Sequence, residues 1–221
     1  MNQLEEDTTA AAESPAAHFA RHDYVLVRGL LDAPLVDFLR SYVDTKFASK
    51  LFGIVDAPAV RAAGHYGDQM FDGLLEFVRP ALERQSGLSL LPTYSYVRIY
   101  RHGDRLLRHT DRHACEISVS LSIAQTPAEP WPLFVTGRTG TVGAELMPGD
   151  AVMYRGFACK HWRETYPGRR QVQVFLHYVD KRGPHAGEKY DRRVSLMRPP
   201  VPGRDHGLPA DTAAADGTDP S

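Results

Sequence analysis

The hydrophobic period of this chain changes near Pro92, and that switch restricts the fold more than any other feature. Before it, apolar side chains recur every three or four residues. Leu35, Phe38, Leu39, Tyr42, Val43 and Phe47 fall on one face of a helix predicted over 33–48, and Met70, Phe71, Leu74, Leu75, Phe77, Val78 and Leu82 on one face of a second over 68–85. Pro80 lies inside the second and is expected to kink it or start a new turn. Tyr24–Val27 reads as a short strand. After Pro92 the period is two: Tyr94–Tyr100 is aromatic and β-branched, and Ile117, Val119, Leu121 and Ile123 alternate with Ser118, Ser120 and Ser122. Further strands are expected near 132–135, 142–147, 151–155 and 170–179, punctuated by Pro148-Gly149-Asp150 and Pro167-Gly168. Short strands behind two helices predict a mainly β domain, a jelly roll (double-stranded β-helix, cupin-like) with helices packed on one sheet.

A chain of 221 residues, 43% hydrophobic and 24% charged, is enough for one domain with a full core. Residues 1–16 and 201–221 are poor in large apolar side chains and are expected to be disordered tails. The domain would then occupy 17–200, with a helical front half over 17–90 and a β core over 92–181. A formal net charge of -1 argues against a general nucleic-acid or anionic-membrane binder. The amino-terminal stretch lacks the basic start and apolar run of a secretory signal, and no segment has the length of a membrane span, so the expected location is the cytoplasm. Cys115 and Cys159 are far apart and read as buried free thiols rather than a zinc site or a disulfide.

Chemistry concentrates in His109-Thr110-Asp111, in His161, and in Arg170 nine residues beyond. Two imidazoles and a carboxylate hold a redox-active iron on one face and leave the other face open. Ten histidines and 27 acids in 221 residues give roughly one His-x-acid pair by chance, and this chain has two. His102-Gly103-Asp104 follows a strand and reads as a turn. His109 and Asp111, two apart in extended chain, would leave the backbone on the same side. In the last strand Arg170 shares a face with Val172, Val174 and Leu176. If the apolar face points into the sandwich, Arg170 is carried inward and Arg169 outward, and an inward charge needs an anion. A plain surface salt bridge is the alternative for Arg170.

From about Pro92 to Lys181 the chain resembles the catalytic core of the Fe(II)/2-oxoglutarate-dependent dioxygenases, in particular the prolyl 4-hydroxylase-like group. The matching positions are His109, Asp111, His161, the basic Arg170, and Tyr100, where that group often has a tyrosine that helps hold 2-oxoglutarate. The resemblance implies Fe(II) on His109, Asp111 and His161, and 2-oxoglutarate with its far carboxylate on Arg170 and Tyr100. It also implies O2 as oxidant, and succinate and CO2 as products of a hydroxylation. Related halogenases lack the carboxylate ligand, so Asp111 favours hydroxylation or desaturation. Tyr100 also reads as an ordinary strand aromatic. Arg98, Arg112 and Arg163 are candidates to bind a substrate carboxylate, or are salt-bridge residues. His65–Asp68 is either a loop over the mouth or a connection in which Asp68 caps the next helix. The leading expectation is a hydroxylase of an amino-acid-like substrate, free or peptidyl, with proline-like rings implied by the resemblance. An oxygenase tailoring a specialised metabolite, a zinc hydrolase and a non-catalytic jelly-roll binding protein are the alternatives.

Overall fold

A computed structural model describes residues 13–54 and 62–199. Two antiparallel sheets form the body. In chain order the elements are α1 (Pro15–His22), β1 (Tyr24–Val27), α2 (Ala33–Ala48), β2 (Gly53–Ile54), β3 (Ala63–Tyr66), α3 (Gln69–Ser86), β4 (Leu90–Arg101), β5 (Leu106–His109), β6 (Ile117–Thr126), β7 (Leu133–Gly137), β8 (Gly140–Ala144), β9 (Ala151–Tyr154), β10 (Lys160–Arg163) and β11 (Arg170–Asp180). The larger sheet runs β1-β9-β6-β11-β4-β3-β2 and the smaller β5-β10-β7-β8. This is the expected jelly roll behind helices.

The helices begin where capping side chains satisfy their free N–H groups. Asp32 accepts from the Leu35 amide at the start of α2, and Asp68 from the Met70 and Phe71 amides at the start of α3. The capping alternative for Asp68 is therefore the one realised, with His65 and Tyr66 on β3. Pro80 does not break α3. It sits on the solvent side, where the freed carbonyl can meet water, while Phe71, Leu75, Val78 and Leu82 anchor the opposite side. Of the expected tail over 1–16, residues 1–12 lie outside the described residues, while Ser14 caps α1 and Pro15 begins it. The expected tail over 201–221 lies outside the described residues. Among those described, no helix is long and apolar enough to cross a membrane. Cys115 and Cys159 are free and buried.

The main apolar core lies between the large sheet and the helices, not between the two sheets. Val97, Ile99, Ile117, Val119, Leu121, Val172, Val174 and Leu176 pack with Leu39, Val43, Phe71, Leu75 and Val78. The opposite faces of the same strands are also buried, and they carry Tyr94, Tyr96, Arg98 and Tyr100 on β4, Ser118, Ser120 and Ser122 on β6, and Gln171, Gln173, Phe175 and His177 on β11. The interior of the roll is thus largely polar. Gln173 donates to Ser120 Oγ at 2.9 Å and Gln171 to Gln173 Oε1 at 3.0 Å, an amide ladder that satisfies much of it.

Candidate metal centre and its cleft

Two four-residue strands of the small sheet carry the histidines. His109 ends β5 and His161 sits in β10, and the two residues are paired across the sheet with ring centroids 4.3 Å apart. Asp111 follows β5, its amide donating to the Gly156 carbonyl at 2.9 Å. One ligand atom from each of His109, Asp111 and His161 lies within 4.8 Å of the others, with His109 Nε2 3.6 Å and His161 Nε2 3.5 Å from Asp111 Oδ1.

The far side of each ring fixes what the near side can do. His109 Nδ1 lies 2.7 Å from the Leu107 carbonyl and His161 Nδ1 3.0 Å from the Cys159 carbonyl. A carbonyl only accepts, so each Nδ1 carries a hydrogen and each Nε2 is left to offer a lone pair beside a carboxylate oxygen. Three converging acceptors match the demands of a divalent cation bound facially by two histidines and one carboxylate. Burial penalises the Asp111 charge, but the positive charge that protonation places on His161, with both imidazole Nε2 atoms turned toward the carboxylate, outweighs it and holds the carboxyl well below its ordinary range. Burial likewise lowers His161, yet the charge and hydrogen bond of Asp111 and the Cys159 carbonyl leave it above its ordinary value. The field that draws a proton onto His161 is one that would hold a metal ion.

Behind Asp111 is a support that sequence patterns did not reveal. Ser118 Oγ donates to Asp111 Oδ2 at 2.7 Å, so its 3.0 Å contact with His177 Nδ1 is donated by the imidazole. This chain turns Oδ1 toward the histidines. Gly156 makes room for it, because a Cβ there would stand 2.3 Å from both Asp111 Oδ2 and Ser118 Oγ. Alternation around Ser118 signalled a two-faced strand, but nothing local in the sequence marked the serine face as site-facing.

A cleft of about 420 Å³, including its mouth, opens on the three ligands and is lined also by Tyr94, Tyr96, Arg98, Leu106, Tyr154, Phe175 and His177. Burial drives His177 down to about 4, so its imidazole is neutral near pH 7.

The other candidates fall differently. His102 is exposed, its Nδ1 3.1 Å from the Pro167 carbonyl, and Asp104 accepts from the Arg101 amide at 2.7 Å, so that pair closes a turn. Arg170 does share a face with Val172 and Val174, but this is the helix-facing side of the sheet. Arg170 accordingly pairs with Asp44 of α2 and does not line the cleft, which corrects the inward placement. Arg112 does not line it either: it makes a two-pronged ion pair with buried Asp191, at 2.7 and 2.9 Å, that fastens the carboxy-terminal segment. Arg98 lines the cleft and is 5% exposed. Tyr100 is fully buried and receives a hydrogen bond from Arg98 at 3.2 Å. Arg163 is 2% exposed on β10, donates to the Trp131 carbonyl, and is too enclosed to meet a substrate at the mouth.

The sequence matches no family model and no curated protein. Solved structures do share its architecture. The nogalamycin-biosynthesis epimerase SnoN, in complex with Fe3+, alpha ketoglutarate and nogalamycin RO, is 15% identical over 84% of this chain and 91% of its own, with a TM-score of 0.66. A Pseudomonas putida prolyl-4-hydroxylase is 18% identical over 76% of this chain and 97% of its own, with a TM-score of 0.61. EctD from S. alaskensis, with 2-oxoglutarate and 5-hydroxyectoine, is 15% identical over 87% and 90%, with a TM-score of 0.59. This chain has the fold of the iron- and 2-oxoglutarate-dependent oxygenases.

Proposed function

We propose that the protein is an Fe(II)- and 2-oxoglutarate-dependent oxygenase that hydroxylates an unactivated C–H bond of a small, amino-acid-like substrate. The observation that carries this reading is the convergence of His109 Nε2, Asp111 Oδ1 and His161 Nε2, with both Nδ1 atoms committed to backbone carbonyls, at the floor of a cleft that also holds a buried arginine. His109, Asp111 and His161 would hold the iron. When bound, iron with 2-oxoglutarate and O2 supplies the oxidising chemistry, releasing succinate and CO2. The chain's part is positional. The two carbonyls hold the imidazoles in their ligating tautomer, Ser118 keeps Asp111 turned to the metal, and Tyr94, Tyr96, Tyr154 and Phe175 screen the reacting atoms from water. Tailoring of a specialised metabolite is a second reading, favoured by the likeness to SnoN.

Anaerobic addition of Fe(II) and then 2-oxoglutarate tests the class, with a visible charge-transfer band expected in the wild type and in His102→Ala but not in His109→Ala. A wild type that binds iron yet shows neither the band nor 2-oxoglutarate binding refutes it. Succinate release screened across amino acids, peptides and metabolites then identifies the substrate by its stimulation.

A further inference from the structure

The face assignment of β11 leaves the cleft without a cation on its last strand. The inward positions are Gln171, Gln173, Phe175 and His177, Arg169 is exposed, and Arg170 is spent on Asp44. Yet the interior is not short of positive charge. Arg98 reaches in from the large sheet and Arg163 from the small one, each at least 95% buried, at 5% and 2% exposure. Neither forms an ion pair with a described carboxylate, whereas most other buried or half-buried arginines here do.

Their hydrogen bonding is incomplete in a directed way. Arg98 Nε, Arg163 Nε and Arg163 Nη2 are buried donors without partners. The bonds that are made flank one aromatic pair: Arg98 donates to the Tyr100 hydroxyl at 3.2 Å and lies 5.6 Å from that ring, while Arg163 donates to the Trp131 carbonyl and lies 4.7 Å from its ring. Tyr100 and Trp131 pack edge to face at 5.0 Å. Two guanidinium groups from opposing sheets thus flank the same aromatic pair. A buried guanidinium with unfilled donors is costly unless an anion joins it, and a carboxylate meets planar guanidinium forks with paired hydrogen bonds.

The bracket is placed for one end of a ligand that reaches the metal with its other end. Arg98 lines the cleft beside His109, Asp111 and His161. Arg163 is two residues beyond His161 on the same buried face of β10, a displacement of about 7 Å along a strand. Tyr100 and Arg163 are enclosed, out of reach of a molecule confined to the mouth, and Tyr100 joins the set through its bond from Arg98.

We propose that Arg98 and Arg163, with the Tyr100 hydroxyl between them, form a two-arginine clamp for the far carboxylate of the dicarboxylate co-substrate, in place of Arg170. This rests on the oxygenase reading above.

Binding, rather than turnover, tests it. Anaerobic calorimetry with 2-oxoglutarate on the iron-loaded protein, and thermal shift with glutarate, a dicarboxylate lacking the keto group, should both register the clamp. Arg98→Gln and Arg163→Met should each weaken 2-oxoglutarate binding about 10- to 100-fold, the loss expected for one or two charge-assisted hydrogen bonds, with iron content retained. Both should abolish any glutarate-induced rise in Tm, and Arg170→Ala should bind 2-oxoglutarate as the wild type does. If Arg163→Met fails to fold, Arg98→Gln decides the matter, since its side chain borders open space. Wild-type affinity in Arg98→Gln, or a loss in Arg170→Ala as large as in the clamp variants, overturns the clamp while leaving the oxygenase reading intact. Normal co-substrate binding with lost substrate stimulation would assign the pair to the substrate instead, and also overturns it. Failure of the wild type to bind 2-oxoglutarate would overturn the parent reading.

Discussion

Replacing Gly156 with alanine should disable the metal centre without touching a ligand. A Cβ at this position would stand 2.3 Å from Asp111 Oδ2, 2.3 Å from Ser118 Oγ and 2.5 Å from the Cys115 carbonyl oxygen. Ordinary contacts between such atoms begin about 1 Å farther out, under the same packing forces that make interiors intolerant of one added methyl group. One of the three atoms is backbone, and the other two are bonded to each other at 2.7 Å, so no single rotamer change relieves the overlap. The cheapest escape is displacement of Asp111 with loss of its Ser118 bond. Overpacking of this kind costs about 1–3 kcal/mol, partly offset by roughly 0.4–1 kcal/mol from a less flexible unfolded chain. With about 2–4 °C of Tm per kcal/mol in a chain of this size, the iron-free variant should melt several degrees lower. The larger effect should fall on iron, whose affinity should drop about 10- to 100-fold, as when a ligand loses its supporting hydrogen bond. Anaerobic iron titration alongside thermal unfolding measures both, with Gly187→Ala as the control because nothing lies within 4 Å of the added atom. A Gly156→Ala protein that binds iron as tightly as the wild type would refute the reasoning.

Acid should destabilise the iron-free protein partly through His177. Its folded value of about 4 lies below the ordinary 6.5, so its contribution is complete above pH 6.5 and is lost as pH falls toward 4, a shift corresponding to roughly 3 kcal/mol. Urea unfolding at several pH values should show this slope in the wild type and a shallower one in His177→Gln; equal slopes would exclude the assignment. His161 runs the other way, since its raised value gives stability below pH 6.5 that is lost as pH rises through it. Asp191→Asn should cost about 3 kcal/mol in denaturant unfolding, because it leaves Arg112 without its two-pronged partner and weakens the 2.5 Å bond from Tyr66. A change below about 1 kcal/mol would show that the carboxy-terminal segment is held by other contacts.

The fold was legible because period and capping residues act locally. Leu35 to Phe47 announced α2, Ser118 to Ile123 announced a two-faced strand, and Asp68 announced the start of α3. The ligand strands β5 and β10 were not legible, since Leu106–His109 and Lys160–Arg163 are four residues long, rich in basic side chains, and held in place by pairing with each other and with β7 rather than by alternation. The error over Arg170 has a more general cause. Alternation shows that a strand has two faces; it does not show which face meets the other sheet. The premise that apolar residues fill the sandwich fails here because α2 and α3 offer the large sheet a better apolar partner, and Val172, Val174 and Leu176 turn to them. The roll interior is then free to be polar, and Ser118, Gln173, His177 and Arg98 can be buried there because they bond to one another, to Asp111, to Ser120 or to Tyr100. In a chain whose helices cover one sheet, the polar face of each central strand is therefore the one to search for chemistry. Applied to β11 this rule discards Arg170, and applied to β4 it selects Arg98.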